Sequence, residues 1–171
     1  MVLLAARPMP SIQTRYFGEI AYESEAIVEF PEGLYAFEGH KNFLLIEREA
    51  TRPFWFLQSL EDPVLTFLTL PAQAIDPAYA LTLQDDDAGL LGFAAPASVP
   101  SIGHDLLCLF LVTTGEETAT ANLLAPVVIN PMNRKGTQAI QFESGYSHRH
   151  PLSGRGEPSP ESGSMGDSRC C

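Results

Sequence analysis

Histidines and clustered carboxylates are the first places to look for chemistry in this chain. His148 and His150 stand two apart in YSHRHPL, with Arg149 between them. On a strand, residues i and i+2 share a face, so the two imidazoles are spaced to hold a metal ion. The nearest acid and thiol in sequence, Glu143 and Cys170, are poorly spaced to complete a ligand set, and Arg149 repels a cation. A polar strand end is the simpler explanation. Asp85-Asp86-Asp87 could attract a hard cation, but it lacks the alternating ligands and glycine of a calcium loop. Three acids in the first turn of a short helix explain it with less. The sequence has no GxGxxG, no GxxxxGK[ST] and no GxSxG. Of the cysteines, Cys108 lies in an apolar run, where the thiol acts as a small hydrophobe, while Cys170 and Cys171 end the chain without upstream support for prenylation. No metal and no cofactor are therefore expected, and nothing in the sequence argues for a catalytic pair. An acid–base pair hidden among 21 Asp and Glu residues is invisible in sequence.

The remaining chemistry is that of surfaces. The chain has 171 residues, a formal net charge of −11 and 45% hydrophobic residues. Such an acidic protein is repelled by a phosphate backbone, so direct nucleic-acid binding is not expected. A basic protein partner suits the charge, and so does simple solubility. No apolar run approaches the ~18 residues of a membrane helix. MVLLAARPMP has no basic residue before its apolar stretch and is too short there for a signal core. The expectation is a cytoplasmic protein, monomeric when free, with a flexible N-terminus over 1–10 and a folded domain over 11–152. The tail SGRGEPSPESGSMGDSRCC (153–171) carries almost no large apolar side chain and is expected to be disordered.

Strand signals dominate the folded part. IQTRYFGEIAY (12–22), AIVEF (26–30), NFLLIER (42–48), PFWFLQSL (53–60), VLTFLTL (64–70), AYALTL (78–83) and DLLCLFLVTT (105–114) are rich in β-branched and aromatic residues. VVI (127–129) and TQAIQF (137–142) flank NPMNRKG as a hairpin. DDDAGLLGF (85–93) is the best helix, with Asp85 as its cap and Gly92 as its stop. The expected fold is mostly β, a small antiparallel β-barrel-like single domain with one or two short helices. PFWFLQSL, VLTFLTL and DLLCLFLV are apolar on both faces, so something must cover the outer face: a helix and loops, a second layer, or a partner.

Two segments stand out as contact candidates. Between Arg15 and Lys41 lie six glutamates and no Lys or Arg. In their midst, FPEGLYAFEGH (30–40) carries Leu34, Tyr35, Phe37 and Glu38 on a Gly/Pro-punctuated loop, suited to a basic surface with apolar spots. The alternative is a solvated edge with the aromatics turned inward. TANLLAPVVINP (120–131) is the second. Val127 to Ile129 read as core. Leu123, Leu124, Ala125 and Pro126 could offer an apolar turn, and Asn122 and Asn130 could fix the backbone or bond a partner's main chain.

TANLLAPVVIN, GTQAIQ (136–141), YSHRHPL (146–152), FPEGLYAFE (30–38) and FLQSLEDPVLTF (56–67) occur in an order that resembles the FliW family of flagellar assembly factors, over about residues 12 to 152. One departure is plain. The family loop runs Gly-Leu-Pro-Gly-Phe-Glu, and here Tyr35-Ala36 replace the Pro-Gly. The resemblance implies a β-barrel without enzymatic activity and two alternative partners, flagellin and the RNA-binding translational regulator CsrA. Flagellin binding would be that of a chaperone, and CsrA binding would relieve repression of flagellin translation. The contact residues proposed on this basis are Asn122, Leu123, Leu124, Ala125, Pro126, Asn130, Leu34, Tyr35, Phe37 and Glu38. A small-ligand barrel lined by Phe, Leu and Trp55 is the competing class, and a hydrolase with unrecognised carboxylates is a third.

Overall fold

The computed structural model describes residues 8–93 and 100–152. It closes a seven-stranded barrel. β3 (Ile27–Glu29), β4 (Asn42–Glu47), β5 (Trp55–Ser59), β6 (Thr66–Pro71) and β7 (Leu107–Thr114) run as an antiparallel meander. β9 (Val127–Asn130) and β10 (Lys135–Gln138) form the expected hairpin, β9 pairs with β7, and β10 pairs with β3 to complete the ring. That last pair, Lys135 beside Glu29, is parallel, the one departure from an antiparallel barrel among the described strands. Closure leaves no open edge in the ring itself. β8 (Ala119–Ala121) and β11 (His150–Pro151) extend the sheet beyond β7.

IQTRYFGEIAY, in which Gly18 is a candidate bulge or turn, does turn there and forms a separate hairpin, β1 (Ser11–Thr14) and β2 (Gly18–Ala21). Its turn is set by Gly18 at φ 69° and by the Thr14 hydroxyl, which accepts from Phe17 N–H at 3.0 Å and donates to the Gly18 carbonyl at 2.9 Å. Several expectations need correction. AYALTL forms no strand, because its main chain bonds to side chains rather than to a ladder: Thr82 N–H to Gln141 Oε1 at 2.7 Å and Ala80 N–H to the Tyr146 hydroxyl at 3.0 Å. A one-turn helix α1 (Ala72–Ile75) precedes it, unforeseen. Helix α2 (Asp85–Leu90) forms where expected and stops before Gly92 at φ 77°, but its N-cap is Gln84, with no side-chain cap bond, and not Asp85. Of the N-terminus expected to be flexible, residues 1–7 lie outside the described residues, and the Pro10 carbonyl is held by Tyr22 N–H at 2.9 Å. The tail expected to be disordered, 153–171, also lies outside them.

The strands that are apolar on both faces separate two cores. Leu109, Val127 and Ile129 point into the barrel with Val28, Phe30, Leu34, Phe43 and Leu57. Their neighbours Cys108, Phe110 and Val128 point outward and pack with Ala72, Tyr79, Leu91, Leu106, Ala121, Leu123 and Ala139. Alternation along β7 and β9 thus feeds both cores at once. The outer face is covered from within the chain, by the 72–93 segment, Ile102, Leu106, Tyr146 and Leu152. On the far side of the barrel, Phe17 of the first hairpin meets Phe56 edge-on at 5.1 Å, with the Arg48 guanidinium over the Phe17 ring at 4.9 Å. Burial in the outer core pushes the Cys108 thiol up to about 12, so it behaves as the hydrophobe its sequence context predicts.

Candidate functional site

Segment 120–126 is a junction whose carbonyls are all engaged from Leu123 onward. Leu123 accepts from the Tyr79 hydroxyl at 2.6 Å, Leu124 from Gln141 N–H at 2.7 Å, Ala125 from Gln138 Nε2 at 3.1 Å and Pro126 from Ala139 N–H at 2.9 Å. Asn122 Oδ1 accepts from Ala125 N–H at 3.0 Å and so closes the turn. Leu123 is 4% exposed and belongs to the outer core, and Pro126 is buried. Asn130 is buried too: its Nδ2 donates to the Leu91 carbonyl at 2.9 Å, tying β9 to the end of α2, and its Oδ1 accepts from Met132 N–H. The expected apolar turn is therefore largely consumed inside the fold. Of the expected contact residues on this segment, Asn122, Leu124 and Ala125 keep partly exposed side chains that a partner can touch.

The 30–40 loop is likewise divided. Leu34 is 1% exposed and belongs to the barrel core. Phe37 is half-buried, edge-on to Phe67 at 4.9 Å. Tyr35 and Glu38 face solvent, Tyr35 at 55% exposure. Phe37 N–H donates to the Leu34 carbonyl at 2.8 Å and closes a four-residue turn with Ala36 at φ 68°. This is the left-handed conformation that favours glycine, and Ala36 occupies the position where the family pattern has one. Glu38 compensates in part: its Oε1 accepts from Ala36 N–H at 2.9 Å. The backbone N–H groups of Glu38 itself and of Ala36 hold the Glu38 carboxyl below its ordinary range.

Gln138 brings the two segments together. Its Oε1 accepts from Tyr35 N–H at 3.1 Å while its Nε2 donates to the Ala125 carbonyl. The parallel pairing of β10 with β3 makes this reach possible. β10 runs on past the end of β3 and lies beside the loop that follows. Gly136 permits the approach, since a Cβ there would stand 2.5 Å from the Phe30 ring.

Beside this junction lies a cleft of about 200 Å³ lined by Glu32, Leu34, Tyr35, Glu38, Asp87 and Gln138, among others. Partial burial raises the Tyr35 phenol, with the Asp87 and Glu32 carboxylates adding to it. Burial also pushes the Asp87 carboxyl up, against a weak bond from the Thr137 hydroxyl at 3.3 Å. The cleft therefore sets an aromatic ring among carboxylates, and the partly exposed Leu124 and Ala125 lie on the segment that Gln138 ties to it.

His150 lies half-buried in β11, His148 is exposed, and among the described residues no three His, Cys, Asp or Glu side chains converge for a metal ion. A cavity of about 230 Å³ is lined by Trp55, Leu107 and Leu109 of the barrel together with α1 and residues 102–103, while Phe30, Phe43 and Leu57 fill the barrel core. It is smaller than the ~300 Å³ typical of small-molecule sites, whereas clefts of about 350 Å³ beside Asp76, Tyr79 and Ile102 and about 470 Å³ beside Ser24, Met132 and Arg134 reach that size.

The barrel has a counterpart among solved structures. A crystal structure of the flagellar assembly factor FliW superposes with a TM-score of 0.73 at 30% identity, covering 83% of this chain and 96% of that one. Residues 11–152 match the FliW protein family. The chain belongs to the FliW family. The flagellar assembly factor FliW of Natranaerobius thermophilus is 34% identical over 144 residues, 82% of this chain and 91% of its own length. That of Desulfitobacterium hafniense is 34% identical over 157 residues, 89% of this chain and 98% of its own. Sequence reasoning missed Gln138 and Gly136 as site-building residues. The quoted GTQAIQ motif contains both, but the partners of Gln138 are 103 and 13 residues away, and no local pattern marks them.

Proposed function

We propose that this FliW-family protein is a flagellar assembly factor. It holds flagellin as a chaperone and, in alternation, holds the translational regulator CsrA, so that flagellin synthesis follows flagellin export. It acts as a cytoplasmic monomer when free. The observation that carries the partner reading is the pair of segments joined by Gln138, with Tyr35, Glu32 and Glu38 exposed on one and Leu124 and Ala125 partly exposed on the other, on a chain with a net charge of −11. An RNA-binding regulator needs basic patches for phosphate, and an acidic rim complements them. A flagellin segment awaiting assembly offers apolar side chains, which an aromatic anchor with aliphatic neighbours can receive.

The test is co-purification with flagellin followed by displacement with CsrA. Tyr35→Ala and Leu124→Asp each remove an exposed contact. Each is expected to weaken binding of at least one partner tenfold or more, about 1.4 kcal/mol, with little change in the thermal midpoint. Simultaneous binding of both partners with undiminished affinity would overturn the exchange mechanism, and failure to bind either would overturn the partner assignment.

A further inference from the structure

We propose that Gln138 makes the 33–38 loop and the 122–126 turn a single mechanical unit, so that a ligand displacing either one loosens the other. The proposal concerns the rim described above, but its test needs neither partner.

The carboxamide is divided between two remote segments. Its acceptor takes Tyr35 N–H and its donor takes the Ala125 carbonyl, both at 3.1 Å, from a side chain 8% exposed. Gln141, three residues on, provides the contrast. Its Oε1 and Nε2 pair with the N–H and carbonyl of a single residue, Thr82, and its remaining bond is to nearby Ala139. Gln141 therefore fastens one segment to the barrel, whereas Gln138 fastens two segments to each other. Because the side chain is nearly buried, water cannot readily replace a lost partner, and breaking one bond leaves a polar group that favours a new arrangement at the other.

The 33–38 loop is also under tension. Ala36 is held at φ 68° by the Phe37–Leu34 bond and the Glu38 carboxylate, and Gly33 at φ 75° packs so closely that a Cβ would stand 2.6 Å from the Glu38 Cα. A strained turn has an alternative arrangement within a small free-energy difference. Anything that pulls Tyr35 outward lets Ala36 relax, withdraws Tyr35 N–H from Gln138, and frees the carboxamide to turn away from Ala125. The turn closed by Asn122 then loses the restraint on its last carbonyl but one.

Amide hydrogen exchange in the isotope-labelled full chain tests this. The reporters are Ala125 N–H, bonded to Asn122 Oδ1, and Gln141 N–H, bonded to the Leu124 carbonyl. Glu38 is exposed, so Glu38→Ala loosens the 34–37 turn without touching the core. In the otherwise native chain, Glu38→Ala is expected to speed exchange at both reporters about fivefold, the effect of one hydrogen bond. In a Gln138→Leu background the same change is expected to leave them unaltered, because the link is already cut. Gln138→Glu keeps the acceptor and the size but loses the donor, and should behave as Gln138→Leu does if the latter folds poorly. An equal effect of Glu38→Ala with and without the Gln138 carboxamide, or no effect at the reporters in either background, would overturn the coupling.

Discussion

Two buried glutamines, Gln58 and Gln138, use the same side chain to opposite ends. Gln58 Nε2 lies within hydrogen-bonding distance of the carbonyls of Ser59, Asp62, Pro63 and Leu65, and its Oε1 accepts from the Thr66 hydroxyl at 2.5 Å. All these partners lie within eight residues, so the side chain acts as the inner scaffold of the Glu-Asp-Pro turn between β5 and β6. Gln138 makes two bonds, one to a segment 103 residues away. A local scaffold serves one fixed turn and gains from redundancy. A long-range link joins segments remote in sequence, and each of its bonds stands alone. The first arrangement favours stability and the second favours responsiveness.

The difference predicts unequal costs. Gln58→Leu strands the Thr66 hydroxyl at a position that is 0% exposed and takes a second donor from the Asp62, Pro63 and Leu65 carbonyls, which keep their backbone partners. It is expected to cost about 3 kcal/mol in denaturant unfolding. Gln138→Leu is expected to cost about 1 kcal/mol. Equal costs would mean that Gln138 is another local scaffold.

The next effect tests the strained loop itself. Gly33→Ala places a Cβ against backbone at 2.6 Å and at φ 75°, where no flexible side chain can give way. A loss of about 2 kcal/mol is expected. At the neighbouring strained position the sign reverses. Ala36→Gly relieves a residue at φ 68° and should stabilise by about 0.5–1 kcal/mol, less the extra entropy of glycine in the unfolded chain. Thermal unfolding of the two variants side by side separates them. If Ala36→Gly destabilised, the turn would not be storing strain, and responsiveness would have to come from Gln138 alone.

This pair also shows how far the sequence could be read. The barrel strands were legible because apolar runs bounded by Pro, Gly and acidic turns have a local physical cause, as in NFLLIER and VLTFLTL. The β9–β10 hairpin and the Gly92 stop were legible for the same reason. AYALTL was misread because its apolar alternation is real while its main chain bonds to Gln141 and Tyr146, some sixty residues away. The candidate contact segments were marked but not resolved by side chain. TANLLAP reads as a greasy turn, yet Tyr79 and the outer core claim Leu123, and α2 claims Asn130. Which face of a loop is already occupied depends on residues remote in sequence, and a single chain does not display them.

The smallest predicted effect concerns Asp87, which faces Thr137, the residue before Gln138, and tests whether the cleft beside the link is tuned by charge. Burial raises the Asp87 carboxyl in the folded state above its unfolded value. Between those two values the folded protein binds more protons than the unfolded one, so this group makes stability fall as pH rises through the window, and at neutral pH the charged form is a net cost. Asp87→Asn removes that cost and keeps an acceptor for the Thr137 hydroxyl. A slightly higher thermal midpoint at neutral pH is expected, shrinking as pH drops below the folded-state value, where the native carboxyl is already protonated. Glu38 behaves oppositely. Its carboxyl is held low by the N–H groups of Glu38 and Ala36, so its contribution is present above its unfolded value and is lost as pH falls through the folded one. Acidification should therefore relax the cleft at Asp87 while loosening the 34–37 turn at Glu38. A midpoint lowered by Asp87→Asn at neutral pH would show instead that the carboxylate has a partner holding it in place, and that the cleft belongs with the fixed scaffold rather than with the responsive rim.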